Sequence, residues 1–278
     1  MRALLAILAL VAAPAHAQFN LRDLNINKML DTAKNVMKAT TEIAEPEEIS
    51  IGRDMASRLL GAAPLVNNAP LQRYVNNVGR WLASQSERPD LPWQFGVLDA
   101  PEVNAFAVPG GTIFVTRGLV QRMRSEAELA GVLAHEISHV LRKHHLKAIQ
   151  KGSQTALAGE ALQHALKNQN PAARDKLITL GNELYARGLD KSDELEADRI
   201  GIVIAARAGY DSYGLPSVLQ TLHAMNAQDS ALALMFKTHP SPSERLSALT
   251  DRMQPVLDSY ATQPQLVERF AAETKALR

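Results

Sequence analysis

The chain has 278 residues, 46% of them hydrophobic, no cysteine, and 30 basic against 29 acidic residues. So even a balance argues against nucleic acid as a partner, since phosphate binding needs a basic surface. Without cysteine there is neither a disulfide framework nor a cysteine-linked lipid anchor, and a chain of this length can bury one substantial core.

At the N-terminus, Arg2 precedes an apolar run from Ala3 to Ala13, then Pro14 and an Ala15-His16-Ala17 cleavage pattern before Gln18. This reads as a secretory signal over residues 1–17. The run is shorter than the roughly 20 apolar residues that span a bilayer, and no later stretch is long and apolar enough, so a soluble, exported, periplasmic protein is expected. Losing the signal removes Arg2 and no acid, which leaves the charges even. Over 18–46, Ile26, Met29, Leu30, Ala33, Met37 and Thr40 trace one face of a helix that should stop near Glu45-Pro46. Helices are then expected over Glu47 to Leu60 and Leu71 to Ser84, separated by breakers between Gly61 and Pro70.

Between Pro92 and Thr116 the period becomes extended. Trp93 to Leu98 alternates, Val103 to Val108 alternates, and Thr112 to Thr116 follows a Pro109-Gly110-Gly111 turn. A small sheet is predicted there, with one strand able to align an extended peptide or to serve only as core. Ser125-x-x-Glu128 is a capping box, and Leu129, Val132, Leu133, Ile137, Val140 and Leu141 give the following helix an apolar stripe. On that helix lies His135-Glu136-x-x-His139. Two imidazoles four residues apart share a face and reach one tetrahedral ion, by default zinc, and Glu136 lies where a carboxylate takes a proton from bound water.

Ser153 to Arg187 is alanine-rich and reads as helices broken at Asn168-Gln169-Asn170-Pro171, a lid or insertion over the cleft. Ser192 to Arg207 is a further helix, and the remainder is helical with a break at His239-Pro240-Ser241-Pro242. There is no internal repeat.

A catalytic zinc needs a third protein ligand. His145 is six residues past His139, and on a continuing helix it points away; Arg142-Lys143-His144-His145 reads as a solvated helix end. Glu160, Glu183 and Glu194 remain. Glu194 and Asp198 share a helix face, so one can bind metal while the other orients a ligand histidine, and Ala197 and Gly201 permit close helix approach. Spacing favours Glu194 only modestly.

His135-Glu136-x-x-His139 with Glu194-x-x-Ala197-Asp198, Asn104-Ala105-Phe106-Ala107-x-Pro109-Gly110-Gly111 before and His239-Pro240 after, resembles the peptidase family of HtpX and the CAAX prenyl endopeptidases, and within it the periplasmic BepA-type branch. The resemblance extends from Glu47 to about Met253. It implies an α+β, mostly helical, zincin-like fold with a small sheet beside the metal helix. It also implies one Zn2+ per chain on His135, His139 and Glu194, with Asp198 supporting a ligand histidine and His239 able to enter the fourth position as a latch. The expected layout is a signal over 1–17, an N-terminal helix over 18–46, a peptidase domain over 47–253 and a helical tail over 254–278. That tail is too short for the tetratricopeptide array of the BepA branch, whose repeat is about 34 residues.

The expected activity is zinc-dependent endopeptidic hydrolysis of misfolded or unassembled envelope proteins, the resting enzyme being latent. Glu136 is the base, Asn104, Ala105 and Phe106 align substrate, and His239 or Arg245 stabilises the oxyanion. Peripheral contact with the membrane or with outer-membrane assembly machinery fits an envelope protein. A chaperone-like assembly factor with a mostly latent site is the alternative. A zinc store is disfavoured by the lack of cysteine and of a histidine-rich tract.

Overall fold

The computed structural model describes residues 43–154, 188–225 and 229–277. The signal-like segment, the helix expected up to residue 42, and nearly all of the alanine-rich stretch, with Glu160 and Glu183, lie outside the described residues.

Helix α1 (Glu45–Ala62) is the helix expected over Glu47 to Leu60, longer by two residues at each end. Pro46 sits in its first turn, where the missing N–H costs nothing, and Glu45, Glu47 and Glu48 suit the positive helix end. Glu48 is buried: it accepts from Arg88 at 3.0 Å and from the Gly110 N–H at 3.2 Å, which ties α1 to the Pro109-Gly110-Gly111 turn. Gly110 and Gly111 have φ of 79° and 102°, a region open chiefly to glycine. Helix α2 (Ala69–Ser84) is capped by Asn68, whose side chain accepts from the Leu71 N–H at 3.0 Å.

Strands β1 (Gln94–Leu98), β2 (Ala105–Val108) and β3 (Thr112–Thr116) form a mixed sheet in the order β1-β3-β2, with β3 parallel to β1 and antiparallel to β2. Both faces are covered. Ile113 and Val115 of β3 join the main core with α2 and the metal-motif helix, while Phe114 packs with Ile51 and Met55 of α1. This is why β1 and β3 are nearly continuously buried and do not alternate between buried and exposed positions.

A short helix α3 (Arg117–Val120) leads to α4 (Glu126–Leu141), which is buried from Glu126 through Val140. Ser125 accepts from the Glu128 N–H at 3.2 Å, but Glu128 reaches back to the Arg124 N–H at 2.7 Å, so the capping box closes one residue early. Helix α5 (His144–Gln154) follows at once. Helix α6 (Lys191–Arg207) crosses α4 closely: a Cβ on Gly201 would stand 2.8 Å from the His135 backbone nitrogen. Helices α7 (Gly214–Ala224), α8 (Ala233–Thr238), α9 (Pro242–Tyr260) and α10 (Val267–Glu273) complete the described chain. Leu257, Phe270 and Leu277 enter the same core as α4. The fold is therefore α+β and mostly helical. Among the described residues, no helix is long and apolar enough to cross a membrane.

Candidate metal centre

Helix α4 supplies His135, Glu136 and His139, all buried, and α6 supplies Glu194 and Asp198 with no exposed surface. The Nε2 atoms of His135 and His139 are 3.1 Å apart. Glu194 Oε2 is 3.7 Å from the first and Oε1 is 3.5 Å from the second. Buried polar atoms are nearly always paired, yet Glu194 Oε1 has no hydrogen-bond partner among the described residues. Two nitrogens each about 2.0–2.1 Å from a tetrahedral ion stand roughly 3.3 Å apart, so these two nitrogens and this orphaned oxygen fit a zinc-type ion. His239 also reaches the cluster. Its Nδ1 is 2.6 Å from Glu194 Oε2, and His135, Glu194 and His239 each offer a ligand atom within 4.8 Å of the others.

Behind the ligand atoms lies a ring of orienting groups. His135 Nδ1 is 2.9 Å from Asp198 Oδ1. Asp198 in turn accepts from Arg245 Nε at 2.9 Å and Nη2 at 2.5 Å. A guanidinium engaged in this way is placed to hold the carboxylate.

On the other side, His139 Nδ1 is 3.0 Å from Nδ1 of His144, which is buried, and His144 Nε2 is 3.2 Å from Glu196 Oε2. The run from Arg142 to His145 is thus not simply a solvated helix end. Lys143 adopts the left-handed conformation (φ 54°), which ends α4 and folds His144 back under His139. His145 also lines the cleft, its ring 5.4 Å from that of His139. Neither Gly nor Asn marks this turn in the sequence, so the only available signal was the pair of histidines themselves.

Burial sets most of the electrostatics. It raises the Glu136 carboxyl above its ordinary value and lowers His139 and His145, the latter to about 3, so those rings are neutral and carry lone pairs. Glu194 would also be raised by burial, but the charges of His239, His135 and Arg245 and the His239 hydrogen bond hold it down at about 2. Asp198 is likewise depressed against its burial, chiefly by Arg245. Burial works to lower His239, and Glu194 overrides it upward.

The cleft beside these groups is lined by Asn104, Ala105 and Phe106 together with Glu136, His139, Glu194 and His239. Thr116 pins the Asn104 backbone, its N–H donating to the Asn104 carbonyl at 3.0 Å. The side-chain Oδ1 of Asn104 is buried with no hydrogen-bond partner among the described residues.

Fold and site together define a metallopeptidase domain of the H-E-x-x-H class. The chain belongs to Peptidase family M48, whose sequence profile matches residues 69–253. It is 31% identical over 212 residues to the Beta-barrel assembly-enhancing protease of Escherichia coli (strain K12), a match covering 74% of this chain and 44% of the relative. To the Putative beta-barrel assembly-enhancing protease of Vibrio cholerae serotype O1 it is 28% identical over 239 residues, 81% of this chain and 49% of the relative. To the Mitochondrial metalloendopeptidase OMA1 of Arabidopsis thaliana it is 32% identical over 168 residues, 60% of this chain and 33% of the relative. The chain spans less than half the length of each.

Proposed function

We propose that the chain is a zinc-dependent endopeptidase of the periplasm that acts on misfolded or unassembled envelope proteins. The observation that carries this reading is the convergence of His135 Nε2, His139 Nε2 and the unpaired Glu194 Oε1 next to the buried Glu136. These three residues would hold one zinc per chain. When bound, zinc polarises the scissile carbonyl and lowers the pKa of water to about 7.

The chain's own residues supply the remaining steps. Glu136 takes a proton from the attacking water and delivers it to the leaving nitrogen as the C–N bond breaks. Asp198 accepts the Nδ1–H of His135, so that the lone pair on Nε2 faces the site, and Arg245 fixes Asp198. Asn104 offers a buried, unsatisfied acceptor to an N–H of the substrate, and Ala105 and Phe106 form the wall along which the peptide lies. The Arg2 to Ala17 pattern supports export, and relatives named for β-barrel assembly support envelope proteins as substrates and peripheral contact with outer-membrane assembly machinery. Digestion of unfolded casein tests the activity: chelation should abolish cleavage and zinc should restore it, while cleavage that persists in chelator would rule out a metal mechanism.

The short His239–Glu194 contact supports a latent resting state, in which the imidazole occupies the cleft and activity requires the His239-Pro240 segment to move. His239→Ala should then raise basal casein cleavage. A variant that keeps its zinc and loses activity would make His239 an oxyanion donor and not a latch. If zinc-loaded wild type and His239→Ala are both inert but suppress aggregation of unfolded envelope proteins, the chaperone-like reading replaces the peptidase.

A further inference from the structure

We propose that His144 is a positioning residue that fixes the tautomer and ring orientation of His139, with Glu196 as the outer member of the same chain of hydrogen bonds. The inference rests on the metal-site reading above.

A histidine that binds through Nε2 must carry its proton on Nδ1, and an acceptor must face that proton. For His135 the acceptor is the Asp198 carboxylate at 2.9 Å. Among the described residues no carboxylate faces His139 Nδ1; the atom facing it is the Nδ1 of buried His144 at 3.0 Å. The Nδ1 atoms are 3.0 Å apart and the ring centroids 5.1 Å, so both rings extend away from the N···N line and the proton of one can point along the in-plane lone pair of the other, the planes being rotated by 71°.

Two facing ring nitrogens bond only if one of them holds the hydrogen, and the surroundings decide which. His144 Nε2 faces Glu196 Oε2 at 3.2 Å and Asp193 Oδ1 at 3.8 Å. Ionised carboxylates only accept, so the His144 proton belongs on Nε2. A neutral His144 then has a bare Nδ1 that accepts from His139 Nδ1–H, and the lone pair of His139 Nε2 is left for the site. The opposite assignment leaves Glu196 facing a lone pair and places the His139 proton on Nε2, where the metal would sit. This tautomer chain satisfies Glu196, His144 and the Nδ1 of His139, and leaves the facing Nε2 atoms of His135 and His139 both bare for the ion. The left-handed Lys143 makes it possible by setting His144 at the start of α5, directly beneath His139.

The test is zinc affinity measured by competition with a chromophoric chelator, using the full chain. His144→Leu removes the acceptor at similar volume and should weaken zinc binding about 10- to 100-fold, the usual cost of losing such a partner. His144→Asn puts an amide oxygen close to the lost Nδ1 and should recover affinity to within about fivefold of wild type. Wild-type affinity in the leucine variant, or equal weakening in both variants, would overturn the proposal, because a packing role would not distinguish an oxygen from a methyl group. If the leucine variant does not fold, 15N spectra of the wild-type histidine rings decide. With zinc bound, a proton on His144 Nε2 supports the chain, and a proton on His144 Nδ1 overturns it. Glu194→Ala separates the two ideas: if it keeps full affinity, the metal-site reading itself has failed, whatever His144 does.

Discussion

Glu194 is a carboxylate with no exposed surface, held ionised by His239, His135 and Arg245, and one of its oxygens has no hydrogen-bond partner among the described residues. Such an arrangement is costly unless a cation completes it. Glu194→Ala should therefore release the zinc, read by elemental analysis after dialysis, and full retention would transfer the third ligand elsewhere. The same group predicts a pH dependence. A carboxyl whose folded pKa is depressed adds stability that is complete above its unfolded value and is lost as pH falls through the folded one. Melting temperatures of the metal-free protein should accordingly fall as pH goes from 4.5 toward about 2, with a flatter decline in Glu194→Gln. Equal slopes would show that the carboxylate is not ionised in the fold. Glu194 and Asp198 could be anticipated because four residues is one helical turn, so the pair shares a face whatever the tertiary fold. His144 could not, because its position depends on Lys143 adopting a conformation that the Lys side chain does not announce.

At the scale of elements, the site exists because α4 and α6 approach closely enough for ligands from both to meet. Gly201 sets that distance, since a Cβ there would press on the His135 backbone at 2.8 Å. Gly201→Val should push the helices apart, cost about 1–3 kcal/mol through overpacking, and weaken zinc binding as Glu194 withdraws from the two histidines. Chelator competition and thermal melting read both effects. A variant with unchanged affinity would mean that the helix spacing is set elsewhere. The close crossing was legible in Ala197 and Gly201, as was the start of α4 in Ser125 and the turn in Pro109-Gly110-Gly111. The start of the helix expected from Glu47 was legible to within two residues, because Pro46 is tolerated in a first helical turn. Strand alternation located all three strands but not their burial, since helices on both faces of the sheet bury residues that a one-sided sheet would expose.

In the molecule as a whole, the segment after residue 253 is built into the core that carries the metal helix. Phe270 is fully buried, and Arg269 pairs with buried Glu126 in the first turn of α4, a carboxylate that also accepts from Tyr74 and Tyr210. Phe270→Ala should destabilise the fold by about 3–5 kcal/mol, seen as a lower denaturant midpoint, whereas a detachable tail would leave the midpoint unchanged. No pattern in 254–278 reveals this anchoring, because one aromatic and one arginine in a polar helix look the same whether or not a receiving pocket exists. In the proposed mechanism the chemistry rests on one carboxylate within that frame, Glu136. The most direct measurement is the rate at which zinc-loaded Glu136→Gln cleaves an unfolded substrate, with zinc content and melting temperature determined on the same sample. With both of those unchanged, the rate should fall about 10²- to 10⁴-fold, because an amide cannot take the water's proton; a rate within about tenfold of wild type would contradict Glu136 as the base.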